Sequence, residues 1–250
     1  MYTFKKSLGQ HFLNDESICR RIVGELREQP FTQLLEVGPG GGALTKYLLE
    51  LPAVDFKAVE IDREKVEYLR SVYPQLEGKI LEQDILQSGP PFKGSFAVVG
   101  NFPYNLSTEI VFRLIDWREQ VQACVGMFQK EVAERIAAPH GSKVYGVTSV
   151  LTQVYFDVEY LFHVPPHAFT PPPKVMSGVI KMLPKKNPVL IASHQKLRTL
   201  VKAAFNQRRK MIRNAVKHLF PPPVLASELF NKRAEQLSVS DFATLTFQMS

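Results

Sequence analysis

The 250-residue sequence predicts an α/β fold in which helices cover both faces of a parallel sheet, followed by a small all-helical domain. From residue 14 to about residue 130, apolar strand-like segments alternate with helical patterns, which is typical of a parallel sheet. After a break at Pro184–Pro188, apolar residues recur at helical spacing only. These observations divide the chain into two predicted domains, residues 1–183 and residues 184–250.

The apolar pattern also predicts the individual elements. Strands are expected at Leu34–Gly38, Phe56–Asp62, Lys79–Asp84, Ser95–Asn101, Gln122–Phe128, Val158–Val164 and Val175–Leu183. The last two flank a proline-rich segment, so we expect them to form an antiparallel hairpin at the sheet edge. Helices are expected near residues 42–51, 63–72, 107–117, 130–138, 144–155, 197–205 and 211–219. Pro221–Pro223 are expected to end the helical region, and Ser238-x-x-Asp241 predicts the capping box of a final helix.

The net charge of +7 is unevenly distributed. Residues 184–250 contain twelve Lys/Arg against three Asp/Glu, a net charge of +9, whereas the preceding residues carry a net charge of −2. This asymmetry indicates a nearly neutral catalytic domain joined to a basic domain that binds a polyanion. Within the basic domain, Arg208, Arg209 and Lys210 are followed by Arg213 and Lys217. Arg209, Arg213 and Lys217 repeat every four residues. This spacing predicts one basic helix face that contacts RNA phosphates, with a merely solvated face as the alternative.

Membrane, secretory and metal-dependent classes are disfavoured. The sequence contains no run of about 18 apolar residues and no apolar segment near the N-terminus that resembles a signal peptide. Its two cysteines, Cys19 and Cys124, lack the spacing of metal ligands. We therefore expect a cytoplasmic protein without a structural metal or a disulfide framework.

A glycine-rich turn between the first strand and the following helix predicts a nucleotide site. Gly38, Gly40 and Ala43 satisfy the G-x-G-x-x-G/A pattern, which lets the backbone turn sharply and approach a ligand closely. The pattern fits NAD as well as S-adenosylmethionine, and a glycine turn without a ligand remains a further alternative.

Acidic residues follow the next two strands. Glu60 ends the second strand, where a carboxylate can accept hydrogen bonds from both ribose hydroxyls; Asp62 is the rival, with helix capping as its other role. Asp84 and Ile85 follow the third strand, where a carboxylate can accept from an adenine amino group. Because these strand ends meet at one edge of a parallel sheet, they predict a ligand crevice.

The fourth strand ends in Asn101-Phe102-Pro103-Tyr104, which favours methyl transfer over hydride transfer. The exocyclic amine of adenine is a poor nucleophile because its lone pair is delocalised into the ring. The Asn101 side-chain oxygen and the Pro103 carbonyl are expected to hold both N–H groups, while Tyr104 stacks on the base. Phe169, in a stiff proline-rich loop, is expected from the residues alone to be a hydrophobic anchor of that loop, and the alternative is contact with the other face of the base.

Taken together, these motifs resemble the ribosomal RNA adenine dimethylases, and among them the bacterial small-subunit type. The resemblance covers nearly the whole chain, through Ser7–Leu13, GPGGGALT, VEID, EQD, NFPYN, QKEV, PPHAFTPPPKV and FNQRRKMIRN. It implies a Rossmann-like methyltransferase domain with S-adenosyl-L-methionine as cofactor. Phe102 stands where the family more often has Leu, and His11 stands where many members have Asn.

The resemblance also implies a substrate and site residues. It implies a monomer that dimethylates two adjacent adenosines near the 3′ end of 16S rRNA in the 30S subunit or its precursor, with a role in ribosome biogenesis. It assigns cofactor contacts to His11, Leu13, Gly38, Gly40, Glu60, Asp84, Ile85 and Asn101, and base contacts to Tyr104 and Phe169. The alternatives are a large-subunit adenine methylase, a DNA adenine methylase, an NAD-dependent dehydrogenase and a non-catalytic assembly factor.

Overall fold

A computed structural model describes residues 11–250, which form two compact units. The first unit comprises residues 11–133 together with Glu159–Pro184. The second comprises Glu134–Val158 and Lys185–Ser250. This grouping differs from the predicted division at residue 184, because residues 134–158 pack with the C-terminal residues and a single boundary cannot describe a discontinuous unit.

The first unit is built on a seven-stranded sheet with the order β4-β3-β2-β5-β6-β9-β7. The nine strands of the chain are β1 (Phe12–Leu13), β2 (Gln33–Val37), β3 (Asp55–Glu60), β4 (Ile80–Glu82), β5 (Phe96–Asn101), β6 (Val121–Gln129), β7 (Phe156–Val164), β8 (Phe169–Thr170) and β9 (Ser177–Pro184). Strands β2 to β6 pair in parallel, and β9 runs antiparallel to β6. The alternation of elements therefore predicted the sheet correctly, and the last two predicted strands are neighbours at its edge.

Ten α-helices complete the described part of the chain. They are α1 (Glu16–Arg27), α2 (Thr45–Leu48), α3 (Arg63–Val72), α4 (Ser107–Asp116), α5 (Lys130–Ala137), α6 (Val147–Gln153), α7 (His194–Asn206), α8 (Ile212–Val216), α9 (Pro222–Leu225) and α10 (Val239–Thr246). The predicted helices near 42–51 and 144–155 are shorter than expected, because turns flank α2 and α6. No helix within residues 11–250 is long and apolar enough to cross a membrane.

Helix α1 and the two-residue strands β1 and β8 of the first unit were missed by the sequence prediction. Helix α1 is capped by Asp15, whose side chain accepts from the amides of Ser17 and Ile18, and its apolar face packs against β6. The short strand β1 pairs antiparallel with β8, joining two segments that are about 160 residues apart. A two-residue strand has no detectable periodicity, so only its tertiary partner reveals it.

The second unit departs from the predicted helices in two places. The predicted helix over 211–219 is shorter, since α8 ends at Val216 and a 3₁₀ turn follows. Pro221–Pro223 do not simply end the helical region, because Pro222 begins α9, where the fixed φ of proline suits the first helical turn. The Ser238–Asp241 capping box is confirmed, with reciprocal side-chain-to-backbone bonds of 3.1 and 2.8 Å.

Candidate functional site

A cleft of the first unit lies at the switch point of the sheet. Strand order reverses between β2 and β5, and in parallel sheets the crevice beyond the carboxyl ends of such strands receives ligands. The cleft holds about 810 Å³ of empty space including its mouth, within the range of roughly 300–1,000 Å³ usual for small-molecule sites. Its lining includes His11, Phe12, Leu13, Glu36, Gly38, Gly40, Glu60, Ile61, Lys65, Asn101, Phe102, Pro103 and Tyr104.

The glycine turn after β2 forms the floor of this cleft. Gly38 and Gly40 have φ values of +67° and +56°, in the left-handed region that favours glycine. A Cβ atom on Gly40 would lie 3.1 Å from Cε1 of Phe12, so the absence of a side chain also lets β1 cover the turn. Both glycines lie where the sequence predicted them, and their open backbone leaves room for a ligand.

Glu60 ends β3 and is 6% exposed. Its Oε1 accepts from the amides of Ile61 and Asp62, both at 3.0 Å, and its Oε2 accepts from the amide of Gly40 at 3.2 Å. The carboxylate thereby connects the ends of two neighbouring strands and faces the cleft. Asp62 instead caps α3 through a 3.2 Å bond from the Glu64 amide, which is the alternative role the sequence suggested for it.

Asp84 follows β4 but does not line the described cleft. Its carboxylate accepts from the amide of Leu86 at 2.9 Å and from the Gln87 side chain at 3.0 Å, so it stabilises the local turn. The amide of Gln83 donates to the Glu60 carbonyl at 3.1 Å, which keeps this turn beside the end of β3. Ile85 is buried, with 7% exposure.

Glu36, which the sequence reading did not single out, is a second carboxyl group of the cleft. It is 1% exposed and accepts a 2.7 Å hydrogen bond from the Thr45 hydroxyl. The pKa of Glu36 is raised to about 8, chiefly by burial; the Thr45 hydrogen bond opposes this shift, and the negative charge of Glu60 adds to it. Its place on β2, just before the glycine turn, was visible in the sequence, but its depth was not.

The Asn-Phe-Pro-Tyr turn projects from the end of β5 into the cleft. The Asn101 side-chain nitrogen donates to the His11 carbonyl at 2.9 Å, so its oxygen is left to face a ligand. The predicted acceptor role of Pro103 requires correction, because its carbonyl accepts from both the Leu106 amide and the Ser107 hydroxyl, each at 3.0 Å. These two bonds occupy both of its lone pairs and fix the start of α4.

The neighbouring carbonyl of Phe102 accepts no hydrogen bond within residues 11–250. Its amide donates to the Met127 carbonyl at 3.0 Å, which ties the turn to β6. The Phe102 ring is 1% exposed and lies 4.8 Å from the Phe128 ring. The pair of oxygens available at this turn is therefore Asn101 Oδ1 and the Phe102 carbonyl.

Tyr104 is half-buried at the side of the cleft. Its hydroxyl hydrogen-bonds the Ser177 hydroxyl at 2.5 Å, and burial raises the pKa of Tyr104, so the phenol stays protonated at neutral pH. The His11 ring lies 5.3 Å from the Tyr104 ring, and its Nδ1 donates to the Pro171 carbonyl at 2.8 Å. The cleft thus brings His11 beside both Asn101 and Tyr104.

Phe169 does not lie where a base-stacking residue is expected. It is 2% exposed, belongs to the hydrophobic core and pairs with Leu13 across β1 and β8. The burial supports the interpretation of Phe169, made from the residues alone, as the hydrophobic anchor of its loop, rather than the base contact that the resemblance implies. Leu13 is 4% exposed and lines the cleft from the same short strand.

The basic residues of the second unit do not form the predicted helix face. Helix α7 ends at Asn206 and α8 begins at Ile212, so Arg208, Arg209 and Lys210 occupy the turn between them. The turn is imposed from elsewhere in the unit, since the Ile212 amide donates to the Lys232 carbonyl at 2.8 Å. Arg213 lies in α8 and Lys217 in the following 3₁₀ turn.

These basic side chains differ in their contacts. Arg208 donates to the Ser142 carbonyl at 3.3 Å and lies 3.8 Å from Glu235, and Arg213 donates to Asn231 at 2.9 Å. The remaining three are exposed and have no acidic partner in the described part of the chain: Arg209, Lys210 and Lys217. No arrangement of three or more His, Cys, Asp or Glu side chains suited to a metal ion occurs among the described residues.

The strand order, the glycine turn and the Asn-Phe-Pro-Tyr turn at adjacent strand ends define a Rossmann-like, S-adenosylmethionine-dependent methyltransferase. The profile of the family described as "Ribosomal RNA adenine dimethylase" matches residues 1–247. The chain therefore belongs to the ribosomal RNA adenine dimethylase family. It is an rRNA adenine dimethyltransferase that uses S-adenosyl-L-methionine as its cofactor.

Relatives of known name and structure agree with this assignment. The chain is 49% identical over 250 residues to "Ribosomal RNA small subunit methyltransferase A" of Cytophaga hutchinsonii, covering 98% of this chain and 97% of the relative. It is 50% identical over 246 residues to the protein of the same name from Flavobacterium johnsoniae, with 97% and 94% covered. A dimethyladenosine transferase from Plasmodium falciparum has a TM-score of 0.81 at 26% identity, with 94% and 96% covered. The 23S rRNA methyltransferase ErmE shares the fold, with a TM-score of 0.70 at 23% identity and 95% and 100% covered.

Proposed function

We propose that this dimethyltransferase acts on the small ribosomal subunit, where it transfers four methyl groups to the N6 atoms of two adjacent adenosines. The target is the 3′-terminal hairpin loop of 16S rRNA within the 30S subunit or its precursor, and the modification accompanies ribosome biogenesis in the cytoplasm. Identity of 46–50% over nearly the whole chain to relatives named for the small subunit supports this choice over the large subunit. The single observation that carries the chemistry is the Asn101 amide oxygen at the mouth of the cofactor cleft.

The residues of the cleft fit the nucleoside of S-adenosylmethionine. Gly38 and Gly40 leave the floor without side chains, and the Glu60 carboxylate at the end of β3 is available to accept from ribose hydroxyls. Ile61 is 55% exposed beside Glu60 and presents an apolar surface to a base. When bound, the cofactor supplies an electrophilic methyl group on a sulfonium.

The Asn101 and Phe102 oxygens are the acceptors proposed for the target amine. In the first transfer, two fixed acceptors that hold both N–H groups of the amine draw its nitrogen towards a tetrahedral geometry with an available lone pair; in the second transfer, one acceptor holds the single N–H that remains. The amide of Asn101 is held by its bond to the His11 carbonyl, and Phe102 is held by its buried ring and its bond to β6. Catalysis then rests on alignment and on oxygens that need no reorganisation. The ammonium product is acidic and releases its proton to solvent, so no general base is required.

Tyr104 is the residue proposed to stack on the target base. Its hydroxyl bond to Ser177 fixes the ring, which lines the cleft next to Asn101. A flipped adenine needs an aromatic surface to replace the stacking that it loses on leaving the RNA. Because Phe169 is buried, the opposite face of the base is not assigned to it. We propose that Asp84 and Ile85 contact the adenine of the cofactor, because the bond from the Gln83 amide to the Glu60 carbonyl holds their turn beside the end of β3.

The second unit is proposed to bind RNA, and the enzyme to act as a monomer. This unit contains fourteen Lys/Arg against five Asp/Glu, so it carries the whole positive excess of the chain. Arg209, Lys210 and Lys217 are exposed and available to phosphates, and Arg208 and Arg213 are half-buried beside them in sequence.

The test uses 30S particles from a strain that lacks the modification, incubated with the enzyme and labelled S-adenosylmethionine. We expect label on two adjacent adenosines near the 3′ end of 16S rRNA and none on 50S particles. Asn101→Ala should abolish transfer while cofactor affinity stays within about an order of magnitude. The matched control is Asn187→Ala, which removes an exposed amide of the second unit. Label on the large subunit, or near-normal turnover of Asn101→Ala, would contradict the proposal.

A further inference from the structure

An open groove in the second unit lies between the start of α6 and the last two turns of α7. It contains about 730 Å³ of empty space that opens to solvent. Five residues line it: Val147, Lys202, Ala203, Phe205 and Asn206. All five belong to the second unit, and none of them is among the site residues predicted from the sequence motifs.

Phe205 provides a fixed aromatic surface in this groove. Its ring is half-buried and packs 5.9 Å from the Tyr145 ring and 5.9 Å from the Phe242 ring. Both supporting rings are fully buried, so the orientation of Phe205 is set by the core of the unit. An aromatic ring that packs against the core on one side and lines an open groove on the other can stack on an unpaired nucleobase.

Polar groups surround this aromatic surface on the side open to solvent. Lys202 lies three residues before Phe205 on α7, is exposed, and has no acidic partner among the residues described. The Arg208 guanidinium lies 6.0 Å from the centre of the Phe205 ring and is held by its bond to the Ser142 carbonyl. Asn206 adds an exposed amide that can donate to and accept from a base edge.

The charge of the unit favours RNA over a protein partner. Fourteen Lys/Arg against five Asp/Glu give the second unit a net charge of +9, which attracts a polyanion of any sequence. An apolar protein segment would leave Lys202 and Asn206 without partners, whereas a nucleotide offers a phosphate to one and a base edge to the other. The combination of an aromatic surface with a neighbouring cation is the usual design of single-strand binding sites.

We propose that this groove is a nucleotide-binding subsite, separate from the methyl-transfer cleft, that holds an unstacked RNA base on Phe205 and its phosphate at Lys202. The proposal rests on RNA being the substrate and adds a defined contact to it. The subsite binds a nucleotide other than the one that is methylated. It therefore contributes to RNA affinity and register without contacting the reacting base.

The test uses the full-length protein and a short single-stranded RNA that carries one 5-iodouridine. Irradiation followed by mass spectrometry should locate a crosslink at Phe205. Phe205→Leu should abolish it and weaken binding by about five- to 150-fold, the range for loss of one base stack. The matched control is Phe247→Leu, since Phe247 is 59% exposed in the same unit and does not line the groove.

A second variant keeps the proposal testable if Phe205→Leu fails to fold. Lys202→Gln should reduce the slope of log affinity against log salt by about 0.7, as expected for one lost phosphate contact on a single strand. Lys186→Gln removes an equal charge from an exposed residue outside the groove and should leave the groove crosslink intact. The proposal would be overturned if no crosslink forms at Phe205 and both groove variants bind RNA as the parent protein does. The same result is expected if a protein docks in the groove. Failure of 30S methylation with the crosslink retained would instead refute the proposed substrate alone.

Discussion

Replacing Glu36 by glutamine should remove the pH dependence that a buried carboxyl group imposes on the stability of the first unit. Glu36 is 1% exposed, and its pKa is raised from 4.5 to about 8, chiefly by burial. Glutamine has nearly the same shape and can still accept the 2.7 Å bond from Thr45. The substitution therefore removes the titration while preserving the main contact.

The direction and size of the effect follow from proton linkage. Between pH 4.5 and pH 8, the folded protein binds a proton at Glu36 that the unfolded chain has released, so the free energy of unfolding falls as pH rises. The slope contributed by this group is about −1.4 kcal/mol per pH unit, and it vanishes above the folded pKa. Integrated over the interval, the ionised carboxyl group costs on the order of 3–5 kcal/mol of stability. Glu36→Gln should thus resemble the parent at pH 5 and exceed it in stability by several kcal/mol, about 3–5, at pH 8.

The assay is urea unfolding of the cofactor-free protein at several pH values, followed by tryptophan fluorescence. Trp117 is the single tryptophan, is 6% exposed and lies in the first unit, so it reports on the unit that contains Glu36. Glu109→Gln removes an exposed carboxylate and serves as the control for loss of one charge. A stability difference between Glu36→Gln and the parent that stays constant from pH 5 to pH 8 would refute the reasoning.

Three further substitutions probe packing, capping and the site. Gly126→Ala should destabilise the fold by about 1–3 kcal/mol in urea unfolding, because the new Cβ would collide with the Phe102 ring; combining it with Phe102→Leu should restore part of the loss, and additive costs would exclude the collision. Ser238→Ala should cost about 1 kcal/mol in thermal unfolding, since it removes the capping box of α10; an unchanged melting temperature would contradict this. Tyr104→Phe should retain most methyl transfer because the ring remains, while Tyr104→Ala should lose it. Both variants lose the hydrogen bond to Ser177, so they differ only in the ring, and equal activity of the two would exclude stacking.

The first unit was predictable where function and local pattern coincide. The alternation of apolar and helical segments gave strands within a few residues of their observed bounds, because each buried strand is a continuous apolar run. Gly38, Gly40 and Glu60 were found for the same reason, since a ligand crevice at a parallel sheet requires them at strand ends. Their roles in binding remain predictions.

Other features depend on contacts that no local pattern records. The acceptor carbonyl was assigned to Pro103, and only the bonds from Leu106 and Ser107 reveal that this carbonyl is occupied. The basic residues after Asn206 continue a helical spacing, yet the chain turns there because residues beyond position 230 supply a backbone partner. In both cases a plausible local pattern is overridden by hydrogen bonds from elsewhere in the fold.

Phe102 shows how the acceptor geometry depends on residues remote from the site. Phe102 stands where the family more often has leucine, beside the polar atoms that the proposed chemistry uses. In the structure the ring is fully buried against Gly126 and 4.8 Å from the Phe128 ring, both in β6. The carbonyl of the same residue is the second acceptor proposed beside Asn101, so packing against β6 holds the residue that carries this oxygen. Small changes in this buried contact should therefore alter methyl transfer before they alter cofactor binding, because only the amine requires two aligned acceptors.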